Sequence, residues 1–175
     1  MKLRMSRARV SIREAEPSHA PILHALIAAN LEEGHLLPRS LEELVMHAAR
    51  FVIAVRGKKI VGCAELAPLS PQVAEVRSLA VDGQERGRGV GGLLLDKLRQ
   101  QAAREGFDKL CAFTHTPGYF SQMGFSIVPH LWLPEKIFTT CVTCPQFRRC
   151  GQYAMVAPLE SATDSVQAAS VARSA

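Results

Sequence analysis

Four glycines and two arginines are grouped in one short stretch that reads Arg-Gly-Arg-Gly-Val-Gly-Gly. Glycines leave the backbone without side chains, so successive amide N–H groups can close around an anion. The positive end of a following helix dipole and the two arginine charges favour the same ligand. We therefore predict a phosphate or pyrophosphate site formed by Arg86, Gly87, Arg88, Gly89, Val90, Gly91 and Gly92.

The stretch lacks the lysine and the hydroxyl residue that end a nucleoside-triphosphate loop, so neither a γ-phosphate nor its magnesium is expected. Taken by itself, the loop is also compatible with an exposed glycine-rich turn that binds nothing. Its surroundings favour a ligand, because the strand Glu75–Val81 precedes it and a helix over Leu93–Glu105 follows it.

Two motifs resemble those of the GNAT acetyltransferases. Arg86-x-x-Gly89-x-Gly91 is similar to the signature with which that family binds the pyrophosphate of acetyl-CoA. The stretch Phe120–Phe125 is similar to the family's later motif of an aromatic residue followed by Gly-Phe. The resemblance implies acetyl-CoA as co-substrate. It also implies that backbone amides at the end of the preceding strand hold the acetyl carbonyl, namely those near Leu79, Ala80 and Val81.

The chain has 175 residues and a formal net charge of +5, which suits one domain with a single core. We expect that domain over residues 1–158 and a disordered Ala/Ser-rich tail over 159–175. No apolar run approaches the roughly 20 residues that cross a bilayer, and no signal peptide is evident, so we expect a cytoplasmic protein without a membrane partner. The arginines are scattered, so CoA rather than nucleic acid is the expected polyanion.

The hydrophobic pattern predicts an α/β fold in which helices flank a mixed central β-sheet, and the resemblance implies the same GNAT fold. The predicted order is β-α-α-β-β-β-α-β-α-β-β. A capping box at Ser40 begins the second helix, and Gly34 ends the first. The predicted strands are Arg9–Arg13, Phe51–Val55, Ile60–Leu66, Val73–Val81, Lys109–Thr114, Phe125–Val128 and Tyr153–Val156, with helices from Pro17 to Leu31, from Ser40, over Leu93–Glu105 and over Pro117–Met123.

Acetyl transfer to an amine needs a base for the amine, a polarised thioester carbonyl and a proton for the leaving thiolate. Strand alternation places Glu75 and Arg77 on one face. The resemblance implies that Glu75, six residues before Val81, is the catalytic glutamate, acting as base directly or through water. An ion pair between Glu75 and Arg77 or another cation is the alternative.

The acid of many GNAT enzymes is a tyrosine four residues before the glycine of Gly-Phe. Phe120 occupies that position here, and Tyr119 lies one residue earlier, on another side of the predicted helix. Tyr119 stays a candidate acid, with departure of the thiolate near solvent as the alternative. Thr114 and His115 follow a strand and are predicted to contact the pantetheine arm of CoA, although an ordinary loop role for His115 is equally open.

A longer resemblance concerns the acceptor. Residues 8–158 are similar to the acetyltransferase domain of bacterial N-acetylglutamate synthases, most clearly in Gly34–Leu44, Ala74–Val81 and Leu133–Lys136. This implies acetylation of the α-amino group of glutamate, the first step of arginine biosynthesis. Substrate carboxylates need fixed cations. The candidates are Arg39, Arg77 and Lys136, with ordinary surface cations as the alternative.

Other readings of the whole chain stay open. The synthases also carry an amino-acid-kinase-like domain where they bind arginine, and this chain has none, so arginine feedback is not expected. One alternative is a GNAT enzyme for another small amine or a protein amine. Another is a catalytically impaired acyl-CoA-binding or redox-sensing module. The oligomeric state is open, a homodimer included.

Three of the five cysteines are close together in the sequence, as Cys141-x-x-Cys144 and Cys150. A zinc site, a redox disulfide and structural thiols are all compatible with this spacing, and zinc would need a further ligand such as His130. We assign no metal ligand. Cys63 and Cys111 lie in predicted strands and are expected to be small core residues.

Overall fold

The structure is a computed structural model that describes residues 9–31 and 36–159. Seven strands form one mixed sheet in the order β1-β2-β3-β4-β5-β7-β6, so the predicted α/β fold is confirmed. The strands are β1 Val10–Glu14, β2 Phe51–Arg56, β3 Lys59–Pro68, β4 Val73–Val81, β5 Lys109–Thr114, β6 Ser126–Val128 and β7 Tyr153–Pro158.

Within the described residues, the α-helices follow the predicted order, with α-helix Pro134–Thr139 as an addition. The first begins with a 3-10 turn and ends earlier than predicted, and the predicted stop at Gly34 lies outside the described residues. None of the described helices is both long and apolar enough to cross a membrane. The helices are α1 Ala20–Ala28, α2 Leu41–Met46, α3 Val90–Arg104, α4 Pro117–Gln122 and α5 Pro134–Thr139.

Helix α5 is the element that the pattern did not predict. It has only six residues, too few to show a helical period. Its start signals are nevertheless present, because Pro134 is the first helical residue and Glu135 lies in the first turn. The helix matters for function because it carries Lys136.

The chain divides into two compact units, each with its own core. The first comprises Met1–Glu65 and Ser78–Lys97, and its buried cluster includes Leu23, Phe51 and Ile53. Antiparallel pairs β1–β2 and β2–β3 build this part, and the predicted β2–β3 hairpin is confirmed. Ser40 Oγ accepts a hydrogen bond from Glu43 N at 3.1 Å, which confirms the predicted start of α2.

The second unit comprises Leu66–Arg77 and Leu98–Ala175. Its core cluster contains Val73, Cys111, Leu133 and Ala154, all nearly or fully buried. Here β4 pairs in parallel with β5, and the last pair in the register joins Glu75 to Cys111. Strand β5 pairs on its other side with β7, and β7 pairs with β6, both antiparallel. The parallel pairing thus fixes Glu75 on a buried strand.

Candidate functional site

Glu75 is the most constrained acidic residue of the second unit. It is 3% exposed, and its carboxylate accepts three hydrogen bonds from two cations. Lys136 Nζ donates to Oε1 at 2.7 Å and to Oε2 at 2.9 Å, and Arg77 Nε donates to Oε2 at 2.7 Å. The contact with Arg77 confirms that the two side chains share a face of β4. It is also the ion pair between Glu75 and Arg77 that we considered as the alternative to a catalytic role of Glu75.

Lys136 reaches Glu75 from α5 and is itself buried. Its ammonium also lies 5.2 Å from the centre of the Phe113 ring, within the range of a cation–π contact. Removing an ammonium from water is costly unless it is paired, and these two contacts supply the pairing. The structure therefore places Lys136 against Glu75, a partner that the prediction of substrate binding did not include.

Arg77 is the most accessible member of this group, with 29% of its side chain exposed. Its Nη2 donates to Thr140 Oγ1 at 3.2 Å. We call Glu75, Arg77, Lys136 and Thr140 the Glu75 cluster. It contains two cations and one carboxylate, so it has one excess positive charge. A carboxylate has about four acceptor sites. Donors among the described residues fill one of these sites on Oε1 and two on Oε2, so Oε1 has the capacity to accept one more hydrogen bond.

The candidate acid lies in α4. Phe120 is buried and meets the Phe125 ring edge-on at 5.3 Å, whereas Tyr119 is 38% exposed and touches Phe120 edge-on at 5.4 Å. The predicted separation of Tyr119 from the usual tyrosine position is therefore confirmed. The role of Tyr119 as acid stays a prediction.

Thr114 is the last residue of β5, and His115 follows it. The Thr114 side chain is buried, and its hydroxyl accepts a hydrogen bond from Thr116 N at 3.0 Å. His115 is exposed. Thr114 thus stabilises the turn after β5. A contact of either residue with pantetheine stays a prediction.

The glycine-rich loop of the first unit leads directly into α3. Gly87 and Gly89 have φ values of 69° and 80°, a region that favours glycine. Gly89 O accepts the first helical hydrogen bond, from Leu93 N at 3.1 Å. The helix therefore begins at Val90, earlier than the predicted Leu93. The amides of its first turn have no intrahelical partner and can bind an anion; they belong to Val90, Gly91 and Gly92.

The loop also has room for that anion. A Cβ atom built on Gly89 would meet no protein atom within 4 Å. Arg88 is exposed. Arg86 donates from Nη2 to Asn30 Oδ1 at 2.7 Å, so part of its guanidinium is already anchored. The exposed backbone of this helix start fits the pyrophosphate of CoA.

The alternation of β4 ends at Ser78. Its φ is 49°, and among the described non-glycine residues it alone has a positive φ. Such a conformation in a strand breaks the period of two. Ser78 O accepts a weak hydrogen bond from Cys63 Sγ at 3.6 Å, and burial raises the pKa of Cys63 to about 12. The predicted polarising role of Leu79, Ala80 and Val81 follows this irregularity in the chain and stays a prediction.

Arg39 belongs to a second charged group, within the first unit. It is 8% exposed, and Nη1 donates to Glu65 Oε2 at 2.7 Å and to Ser78 Oγ at 3.0 Å. Its Nη2 forms an ion pair with Glu43 at 2.8 Å. Burial opposes the charge of the guanidinium, but the two carboxylates outweigh burial and raise the pKa of Arg39.

We call Arg39, Glu43, Glu65 and Ser78 the Arg39 cluster. It contains one cation and two carboxylates, so it has one excess negative charge. Among the residues that the structure describes, Arg39 Nε and Glu65 Oε1 are buried without a hydrogen-bond partner. Sequence reasoning missed Glu65. The signal was a charged residue in the otherwise apolar strand Ile60–Leu66, which needs a buried partner.

The mixed sheet and the glycine-rich start of α3 suit an enzyme that uses a CoA thioester. Residues 20–125 match the acetyltransferase (GNAT) family, and the chain belongs to this family. The predicted fold is thereby confirmed, and the predicted co-substrate, acetyl-CoA, agrees with this membership.

An N-acetyltransferase of Chlorobaculum tepidum, itself uncharacterised, is 31% identical over 155 residues, which cover 89% of this chain and 100% of the relative. The amino-acid acetyltransferase of Neisseria meningitidis is 35% identical over 128 residues, 72% of this chain. The chain spans only 29% of that relative's length.

Among solved structures, the N-acetylglutamate synthase of Neisseria gonorrhoeae, complexed with coenzyme A and N-acetyl-glutamate, is similar with a TM-score of 0.77. The two are 29% identical, and the match covers 89% of this chain and 36% of the synthase. The resemblance to the acetyltransferase domain of these synthases is therefore confirmed.

Proposed function

We propose that this acetyltransferase transfers the acetyl group of acetyl-CoA to the α-amino group of a free amino acid, with L-glutamate as the preferred acceptor. The observation that carries the proposal is the similarity to an amino-acid acetyltransferase over 72% of the chain at 35% identity. The reaction would be the first step of arginine biosynthesis, in the cytoplasm. It requires neither nucleic acid nor a membrane, and a homodimer is compatible with it.

The charge of the Glu75 cluster supports an acidic acceptor. Its excess positive charge attracts a carboxylate and repels a polyamine. Arg77 is the more exposed of the two cations in the cluster, so we assign it the direct contact with a substrate carboxylate. A guanidinium binds a carboxylate with two parallel N–H groups. Lys136 adds positive charge near the substrate carboxylate, while its Nζ keeps its hydrogen bonds to Glu75.

Arg39 is a weaker candidate for direct contact with a substrate carboxylate than the sequence suggests. Its charge is more than balanced by Glu43 and Glu65, and its side chain is almost fully covered. The excess negative charge of the Arg39 cluster favours an ammonium group over a carboxylate. We assign Arg39 to holding Glu65 and Ser78 in place.

Glu75 is the proposed base. The ammonium of the acceptor must lose a proton before its nitrogen attacks the thioester carbonyl carbon. The remaining acceptor site on Glu75 Oε1 can take that proton, directly or through a water molecule. Lys136 and Arg77 hold the carboxylate in one orientation, which saves the cost of ordering it during the reaction. Tyr119 or solvent then protonates the departing thiolate.

The proposal is tested by identifying the product. Purified protein is incubated with acetyl-CoA and L-glutamate, and the product is analysed by mass spectrometry and NMR. We expect one acetyl group on the α-nitrogen. The Glu75→Gln variant, which keeps the shape of the side chain, is the control and should form little product. Hydrolysis of acetyl-CoA without an acetylated amine would contradict the proposal.

A further inference from the structure

Three thiols follow α5 in the second unit. Cys141 begins the 3-10 turn Cys141–Thr143, and Cys144 N donates to Cys141 O at 3.0 Å across it. A second 3-10 turn, Phe147–Arg149, leads to Cys150. Cys141 and Cys144 are half-buried, Cys150 is exposed, and all three are free thiols. Acetyl transfer uses none of them.

The two remaining cysteines, Cys63 and Cys111, differ from these three in their burial. Cys63 and Cys111 are fully buried. Burial raises the pKa of Cys63 to about 12 and raises the pKa of Cys111 as well. A thiol that neither ionises nor meets solvent does not react with disulfides. Thiol chemistry of the folded protein is thus confined to the segment 141–150.

A zinc site has less support from the geometry. Structural zinc is held by four ligands, almost always Cys or His. Within the described part of the chain, no group of three His, Cys, Asp or Glu residues is placed to hold a metal ion. The described residues therefore do not support a zinc site at the three thiols.

The turn sets the distance between the first two thiols. Residues i and i+3 of such a turn have Cα atoms less than about 7 Å apart. Disulfides join Cα atoms that are usually about 4.4–6.8 Å apart. The hydrogen bond from Cys144 to Cys141 therefore holds their backbones at bridging distance. Cys144 and Cys150 are also close enough for their charges to act on the Cys141 thiol.

We propose that Cys141 and Cys144 form a dithiol site that exchanges reversibly with low-molecular-weight disulfides, while Cys150 stays outside the bridge. The bridge requires no opening of the turn, because the backbone contact between the two residues is already made. The site is independent of the acetyl acceptor and does not rest on the proposed function.

The exchange takes place in two steps that conserve atoms and electrons. One protein thiolate attacks a sulfur of glutathione disulfide, so that a mixed disulfide forms and one glutathione thiolate leaves and is protonated. The second protein thiolate then attacks the protein-bound sulfur, and the second glutathione leaves. The two protein thiols are oxidised, and glutathione disulfide is reduced to two glutathione molecules.

Cys141 and Cys144 are both half-buried, so either thiol can meet the disulfide. The other thiol then resolves the mixed disulfide. Burial raises the pKa of the Cys141 thiol, and the positive charge of Lys136 opposes this effect only in part.

The test uses the folded full chain and glutathione disulfide. After incubation, we expect the peptide that contains Cys141 and Cys144 to lose two hydrogens, while the exposed Cys150 takes up at most one glutathionyl group. Peptide mapping should place the bridge between Cys141 and Cys144, and dithiothreitol should restore the starting mass. The Cys150→Ser variant, as matched control, should form the same bridge.

Single substitutions test whether both thiols are needed. Cys141→Ser should retain one glutathionyl group on Cys144, because the resolving thiol is missing. Cys144→Ser should likewise retain one glutathionyl group on Cys141 and should not form the bridge. A bridge that includes Cys150, three independent adducts, or one equivalent of bound zinc that blocks all three thiols would each overturn the proposal. A Cys144→Ser variant that still loses two hydrogens would also overturn it.

Discussion

The substitution Lys136→Met removes one cation from Glu75 while keeping a similar side-chain volume. Lys136 donates two of the three hydrogen bonds that the Glu75 carboxylate accepts. Removing one partner of a buried ion pair costs about 3–5 kcal/mol, because the other charge stays buried. Arg77 remains as a partner but is partly exposed, so we expect the lower end, about 3 kcal/mol.

The expected loss is measured by urea unfolding and by thermal unfolding. For a domain of this size, each kcal/mol lowers the Tm by about 2–4 °C, so the Tm should fall by about 6–12 °C. The turnover number should also fall, because the proposed base is no longer held in one orientation. Lys58→Met is the matched control: Lys58 is exposed in the β2–β3 turn, and its loss should change stability by less than about 0.5 kcal/mol.

A double-mutant cycle with Glu75→Gln separates the ion pair from packing. Without the carboxylate, Lys136→Met leaves no uncompensated charge, so the double variant should be more stable than Lys136→Met alone. A Lys136→Met variant as stable as the wild type would refute the reasoning. Equal effects of Lys136→Met in the wild-type chain and in the Glu75→Gln variant would refute it as well.

The other predictions concern the cofactor, the base and the acceptor. Gly89→Ala places a methyl group in the open space where we expect the pyrophosphate, so the apparent KM for acetyl-CoA should rise about tenfold, equivalent to about 1.4 kcal/mol of binding. Gly83→Ala, also in open space but without a positive φ, is the control and should leave the KM unchanged. Equal KM values for the two variants would contradict this. Glu75→Gln should lower the turnover number by about a hundredfold near neutral pH. The loss should be smaller at high pH, where the amine of the acceptor is already deprotonated. A variant with the turnover number of the wild type would exclude Glu75 as the base. Arg77→Lys should raise the KM for the amino acid and leave the KM for acetyl-CoA unchanged. Steady-state kinetics with both substrates checks this, and an unchanged KM for the amino acid would speak against the assigned contact.

The strands of the sheet could be predicted from the sequence because the residue patterns that mark them are local. The predicted bounds of β4 match the structure at both ends, since an apolar run lies between turn residues. The start of α3 was predicted too late because Gly91 and Gly92 are poor helix formers. The burial of Val90 and Leu94 outweighs that preference.

The candidate site was only partly predictable for a different reason. The sequence pointed to Glu75 and Lys136 separately, but they are 61 residues apart and no local pattern joins them. The pairing of Arg39 with Glu65 is likewise non-local. Which cation meets which carboxylate depends on the packing of α5 and on the conformation of Ser78. These pairings are determined only when the chain is folded.

The most direct test of the proposed function is a comparison of acceptors. CoA release from acetyl-CoA is followed with L-glutamate, L-glutamine and spermidine, and kcat/KM is determined for each. We expect glutamate to exceed glutamine by about tenfold, because a second carboxylate adds a charge-assisted contact with a positively charged cluster. Spermidine should be the poorest acceptor. A preference for spermidine would contradict the account, since an excess positive charge around Glu75 repels a polycation.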